Sequence, residues 1–238
     1  MASGRLFAGL FAHGETAAEV SDRALVDAMV EVEIALLHTL ADLDLAPAEA
    51  ADELTEAFGA GRLEFDLDEL GRATGEQGTP IPGLLRALRR QISDTAAAHL
   101  HIGATSQDVV DTAMMLVCRR ALDRTVADLG AAADACAELV ARHRDAIVPG
   151  RTLLQQALPV TFGLKAAVWL SGLDGALAEL RAVHGRELVV QFGGRKNHVR
   201  RAGVELPGIR RRRRRLERAQ RSARRKRAAH RRDLRARP

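Results

Sequence analysis

The sequence predicts an all-α fold: a small N-terminal helical domain, two long antiparallel helices of an incomplete elongated helical bundle, and a disordered basic tail. Three observations carry that prediction. Aromatic residues make up only 3% of the chain against 47% hydrophobic residues overall. The apolar content is therefore mostly Ala, Leu and Val, which favours helices packed closely through small residues over sheets. Apolar positions recur at spacings of three and four over stretches far longer than a strand. Charge is also segregated. Residues 1–194 hold 16 Lys+Arg against 28 Asp+Glu, a balance of −12, while residues 195–238 hold 20 against 3, a balance of +17. The formal +5 of the 238-residue chain thus averages an acidic body and a basic tail.

The first long element is "SDRALVDAMVEVEIALLHTLADLDLAP", with Leu25, Met29, Val32, Leu36, Leu40 and Leu43 as its apolar stripe and Ser21 or Asp22 as N-cap. Pro47 restarts the chain into a shorter helix. Residues 58–83 are broken by glycines and prolines and read as short helices and loops, followed by a modest helix over 84–92. From about Ser106 to Ile147 only Gly130 interrupts the helical pattern. Its stripe is Val109, Ala113, Leu116, Val117, Val126, Leu129, Ala133, Cys136 and Val140. About 40 residues make a rod about 60 Å long. A loop at Pro149–Gly150 leads to a second long helix from about Pro159 to Val190. The resulting domains are 1–104, 105–194 and 195–238. Rods of this length predict oligomerisation to cover their exposed stripes.

Cys118 and Cys136 fall on one predicted helix, about 27 Å apart, beyond disulfide reach. They read as small core residues in a reducing, cytoplasmic setting. No apolar run reaches the roughly 20 residues needed to span a bilayer, and the N-terminus reads as no signal peptide. There is no Gly-rich phosphate loop and no zinc-type Cys/His spacing, so neither a cofactor nor a metal is expected.

Chemistry concentrates in "HLHIGATSQDVVDTAMM" (99–115). Gly103 permits a sharp turn, and Thr105, Ser106, Gln107 and Asp108 crowd the start of the long helix. Hydroxyls, an amide and open backbone N–H groups at the positive end of a helix dipole suit a carboxylate or phosphate. Each hydrogen bond to a charged ligand contributes about 1.5–3 kcal/mol. The plainer reading is an N-cap, with Asp108 favouring the dipole. A second polar cluster, Arg151, Thr152, Gln155 and Gln156, lies between the two long helices and reads equally as a connection. His101 is a candidate proton donor or ligand contact, or a hydrogen-bonded loop histidine. Lys165 reads as a snorkelling lysine, and His13, His38, His143 and His184 are assigned no role.

"GATSQDVVDTA", then some forty residues on "GRTLLQQALPVTFGLKAA", then "QFGG", resembles the fumarase/aspartase superfamily, and within it the 3-carboxy-cis,cis-muconate cycloisomerase branch. The opening helix and "GTPIPGLLRAL" are also similar, and the likeness covers about residues 5–194. It implies that Thr105, Ser106 and Gln107 hold a carboxylate of a small polycarboxylate substrate. Thr152 and Gln155 from another subunit's loop would line the same site in a homotetramer, with His101 beside them. The implied reaction is the reversible closure of 3-carboxy-cis,cis-muconate to a carboxymuconolactone in protocatechuate breakdown, with no cofactor. Many lyases of the superfamily carry His after the Thr of "RT". Leu153 stands there in this chain, which argues against argininosuccinate, fumarate or adenylosuccinate lyase. The superfamily's loop of the form G-S-S-x-M-P-x-K-x-N does not occur in this sequence. The resemblance therefore implies a truncated chain of very low activity, with no catalytic residue assigned.

The tail has two readings. Twenty cations in 44 residues would give an arginine-rich arm strong, salt-dependent affinity for nucleic acid or another polyanion. The favoured alternative is an out-of-frame reading of a GC-rich gene, since the chain holds 33 Arg to 3 Lys. Shifted by one base, "NHVRRAG" can read as a small-residue stretch ending Ala-Leu-Gly, as the superfamily continues after "FGG". Under either reading the tail is expected to be disordered and to bind polyanions nonspecifically.

Overall fold

Residues 14–194 are described by a computed structural model. The arginine-rich tail, with its expected disorder and polyanion binding, and His13 lie outside the described residues. The described chain is helical apart from one two-stranded hairpin. In order it runs α1 (Gly14–Glu19), α2 (Asp22–Asp42), α3 (Ala48–Gly59), α4 (Leu67–Gln77), α5 (Ile81–Arg89), α6 (Asp94–His99), α7 (Ser106–Arg142), β1 (Ile147–Thr152), β2 (Gln155–Thr161) and α8 (Phe162–Arg186).

The helix boundaries follow from local chemistry. The Ser21 hydroxyl accepts from Ala24 N–H to start α2, and Asp66 accepts from the backbone of Asp68 and Glu69 to start α4. Gly78, at φ 69°, closes α4 in the left-handed conformation that glycine adopts without a Cβ clash. Ser93 caps α6 through Ala96 N–H, and its own hydroxyl and backbone N–H donate to Glu53 on α3 at 2.6 and 2.7 Å.

One core joins α2 through α6 to the first two turns of α7. Met29, Leu37, Leu54, Ile81, Leu84 and Leu88 are fully buried there, each contributing about 1.5–3 kcal/mol. The buried residues of α2 are Val26, Ala28, Met29, Val30, Glu33, Leu37 and Leu40. Their face lies about one residue round from the predicted stripe: Leu25, Val32 and Leu36 are half-buried and Leu43 is exposed. The centre of the face holds a carboxylate, Glu33, which an apolar pattern hides. Arg120 on α7 ties back to α2 by donating to both oxygens of Glu31 at 2.8 and 2.6 Å.

Beyond the core, α7 carries α1 on its side, with Arg124 3.8 Å from Glu19, and runs on against α8, where Ala133, Ala166 and Leu177 are buried. Most of the predicted α7 stripe, from Leu116 to Val140, is half-buried. Both cysteines lie on α7 as free thiols, half-buried. The rod stops at Arg142, five residues short of its predicted end, and the expected loop is instead the hairpin. Ile147, Val148, Val160 and Thr161 are β-branched and pair across it. Pro149 faces Pro159, and a register shift at Gly150 absorbs the mismatch. A Cβ on Gly150 would sit 2.5 Å from the Leu158 carbonyl oxygen, so the bulge admits only glycine. Two prolines and a glycine masked the strands, since a two-stranded ribbon has only edges and tolerates both.

α8 therefore starts at Phe162, three residues later than predicted, with Thr161 capping Leu164 N–H. At the foot of the hairpin Gly163 N–H donates to the His143 carbonyl at 2.9 Å. A Cβ there would lie 2.8 Å from Arg144 Cα. Past Arg186 the chain is non-helical, and it returns along α7 to Gln191 and Gly193. No helix among the described residues is long and apolar enough to cross a membrane.

Candidate functional site

The turn His101–Gly103 aims the start of α7. Gly103 sits at φ 82° and His101 at φ 62°. A non-glycine residue in that region costs about 1–3 kcal/mol and persists only where its surroundings hold it. Here His101 Nδ1 lies 2.7 Å from Glu33 Oε1, and the Glu33 side chain is 0% exposed. Its other oxygen, Oε2, is buried without a hydrogen-bond partner among the described residues.

Thr105 is the N-cap of α7 in a complete capping box. Its hydroxyl accepts from Asp108 N–H at 3.3 Å and donates to Asp108 Oδ2 at 2.8 Å, and its backbone N–H donates to the same oxygen at 2.8 Å. Asp108, only 5% exposed, also accepts from Gly193 N–H through Oδ1 at 2.7 Å. The plain cap reading of Thr105 is therefore what the geometry contains, and its hydroxyl proton is committed to Asp108. Ser106 and Gln107 differ. Their backbone N–H groups and the Ser106 hydroxyl have no partner among the described residues. The Gln107 amide donates one N–H to Asp111, leaving the second open. First-turn N–H groups left open are the donors a helix N-terminus offers an anion.

The returning strand of chain closes one side. Thr112 donates to the Gln191 carbonyl at 2.9 Å and accepts its N–H at 3.2 Å, while the Gln191 side chain donates to Asp111. "QFGG" thus packs on the first two turns of α7, directly beside "GATSQD". A hollow of about 170 Å³ lies alongside, lined by Asp111, Met114, Met115, Val189 and Gln191.

Thr152 and Gln155 are elsewhere. They pair across the tip of the hairpin, past the far end of α7, whose 37 residues span about 54 Å. One chain therefore does not bring them to Thr105, Ser106, Gln107 and His101. Between them Leu153 and Leu154 form the turn at φ 43° and 65°, 92% and 101% exposed. Two left-handed residues are what a two-residue hairpin turn needs, normally met by Asn-Gly. Arg151 pairs with Gln156 on the same exposed ribbon, and the Lys165 ammonium sits 5.6 Å from the Trp169 ring centroid.

Sequence reasoning passed over Glu33, Asp111, Thr112 and Gln191. Glu33 carried a signal: an acid four residues from both Met29 and Leu37 in an apolar stripe. The others show only once residues 79 or 80 apart are brought together.

Residues 13–204 match the family described as lyase. The 3-carboxy-cis,cis-muconate cycloisomerase of Acinetobacter baylyi is 37% identical over 193 residues, covering 80% of this chain and 43% of that protein. The nitrosuccinate lyase of Streptomyces davaonensis is 44% identical over 180 residues, covering 74% of this chain and 37% of that protein. The crystal structure of β-carboxy-cis,cis-muconate cycloisomerase from Acinetobacter calcoaceticus superposes with a TM-score of 0.74 at 36% identity, covering 80% and 45% of the two chains. This chain spans about two-fifths of the length of the curated relatives it matches.

Proposed function

The chain belongs to the fumarase/aspartase superfamily of lyases, and we propose that it carries the carboxylate-binding share of a 3-carboxy-cis,cis-muconate cycloisomerase site. The observation that carries this reading is the open first turn of α7. Ser106 and Gln107 present unclaimed N–H groups, backed by the Ser106 hydroxyl and the second Gln107 amide proton. Thr105 acts through the cap, holding that turn open. His101, on the turn before α7, stands as a further contact.

In lactonisation a carboxylate oxygen adds across a double bond and a proton goes to the neighbouring carbon. Negative charge grows on the carboxylate attached to that carbon before the proton arrives. Oriented N–H groups at a helix N-terminus stabilise such charge without reorganising. Asp108 does not oppose this, because its carboxylate is directed at Thr105 and Gly193. Thr152 and Gln155 join the site from the hairpin of another copy in a self-associated, tetrameric assembly. The two free cysteines favour a reducing, cytoplasmic setting, with aromatic breakdown through protocatechuate as the context. A chain without the G-S-S-x-M-P-x-K-x-N serine loop turns substrate over very slowly by itself.

Titrating the full chain with 3-carboxy-cis,cis-muconate while following backbone amide signals tests the reading. Ser106 and Gln107 are expected to shift first, and Ser106→Ala to weaken binding by roughly ten- to a hundredfold, the loss of one hydrogen bond to a charged group. Unmoved amides at saturation would sink it, and lactone formation at an ordinary enzymatic rate would sink the slow-turnover claim. The 44% identity to nitrosuccinate lyase favours a second reading, elimination from a succinate-type dicarboxylate on the same first turn. Tighter binding of nitrosuccinate than of the muconate would select it.

A further inference from the structure

The least economical feature of the core is Glu33. It lies on the buried face of α2 among Met29, Val30 and Leu37, 1% exposed, with Oε1 on His101 and Oε2 without a partner among the described residues. A fold seeking only stability would place an apolar residue there, because burying a half-satisfied carboxylate costs more than an apolar side chain of similar volume. Its single partner, His101, is held in a left-handed backbone conformation four residues before the cap of α7. Two unfavourable features thus meet in one contact, and the contact lies at the end of the helix where Ser106 and Gln107 are open.

We propose that Glu33 is a positioning residue for His101. Its carboxylate accepts the Nδ1 proton, which fixes the ring's rotation and reserves Nε2, on the opposite edge of the imidazole, for exchange of a proton or hydrogen bond at the mouth of α7. A histidine whose Nδ1–H is held by a carboxylate has one tautomer when neutral, and Nε2 is then a lone-pair acceptor. The 2.7 Å contact spans 68 residues of sequence and joins the core helix to the turn before α7. The core thereby supplies a rigid footing for a group that is otherwise on a loop. The role of Nε2 rests on the carboxylate-site reading above; the setting of the tautomer does not.

The experiment is ring-nitrogen NMR of His101 in the full chain, in wild type, Glu33→Leu and Glu33→Gln, with the muconate as probe. In wild type Nδ1 is expected to be protonated whether the ring is neutral or charged, and an unprotonated Nδ1 overturns the proposal without any variant. Glu33→Leu removes the acceptor and the orphaned oxygen together. It is expected to unfold no more readily than wild type, while the neutral ring loses its single tautomer and muconate affinity falls about tenfold, one lost orienting contact. Glu33→Gln, which keeps an acceptor, is expected to restore the Nδ1–H tautomer. A Glu33→Leu chain that is destabilised with its His101 tautomer unchanged makes Glu33 merely structural and overturns the proposal. Failure of the carboxylate reading shows separately, as Ser106 and Gln107 amides that ignore the muconate in wild type.

Discussion

Replacing Thr105 with valine keeps the β-branch and the volume and removes only the hydroxyl. That hydroxyl accepts from Asp108 N–H at 3.3 Å and donates to Asp108 Oδ2 at 2.8 Å. Losing an N-cap acceptor costs about 1 kcal/mol. Losing a hydrogen bond to a buried charged group costs about 1.5–3 kcal/mol. Both bonds belong to one pair of residues, so the costs overlap, and about 2–3 kcal/mol is expected in total. Asp108 keeps Thr105 N–H and Gly193 N–H, which stops the loss from rising to that of an unpaired buried charge. Ser106→Ala, one residue on, removes a hydroxyl without a partner among the described residues and should stay within about 0.5 kcal/mol. Urea unfolding of the two variants reads the difference. With a slope of about 2 kcal/mol per molar, Thr105→Val moves the midpoint down by about 1 M and Ser106→Ala leaves it in place. Equal midpoints would refute the division of labour in which Thr105 builds the cap and Ser106 faces outward.

Glu53 makes acid sensitivity specific. Hydrogen bonds from the Ser93 hydroxyl, then from its backbone N–H, hold the Glu53 carboxyl below its ordinary 4.5. The native state therefore releases this proton more readily than the unfolded chain. Its stabilisation is complete above about pH 4.5 and is lost as pH falls through the lower native value; Glu53→Gln should flatten that part of a melting-temperature profile between pH 5 and 3. Gly163→Ala sets a methyl 2.8 Å from Arg144 Cα and 2.9 Å from the His143 carbonyl, backbone that cannot swing aside. A loss of about 1–3 kcal/mol is expected, and a gain in melting temperature, as Ala over Gly gives in an open helix, contradicts it. Leu153→Asn with Leu154→Gly supplies the residues that two left-handed positions prefer. It should stabilise the hairpin by about 1 kcal/mol, and melting at or below wild type refutes the strain. If the exposed leucines also hold copies together, sedimentation of this variant shifts toward smaller species.

The helical architecture was legible because its information is local. A three-and-four spacing survives over "VVDTAMMLVCRRALDRTVADLG", and Ser21 and Thr105 announce helix starts within three residues of themselves. Errors arose where local signals conflicted. Pro149, Gly150 and Pro159 speak for a loop, whereas the β-branched residues flanking them pair as strands around a bulge. On α2 the carboxylate of Glu33 took the centre of the buried face, so the apolar pattern pointed one residue to the side. The candidate site was half legible for the same reason. Thr105 and Asp108 are neighbours, and a capping box is written in four letters. Glu33 with His101 and Thr112 with Gln191 are 68 and 79 residues apart, and only the folded chain brings them together.

The length of α7 decides how such a site can be completed. A helix of 37 residues is a strut of about 54 Å. Its first turn carries Ser106 and Gln107, and the hairpin with Thr152 and Gln155 lies past its last. Bending cannot close that gap, because long helices curve gently, with radii of about 60–100 Å. The proposal that both sets of residues contact one substrate therefore requires a second copy whose hairpin reaches this chain's open turn. The surface of α8 supports such an arrangement: Leu164, Val168 and Trp169 are 59%, 65% and 45% exposed along its first turns. A rigid strut also explains why the open turn is anchored so heavily. Asp108, Thr112 and Glu33 tie it to the returning chain and to the core, so under that proposal a hairpin from another copy would meet donors whose positions are already set.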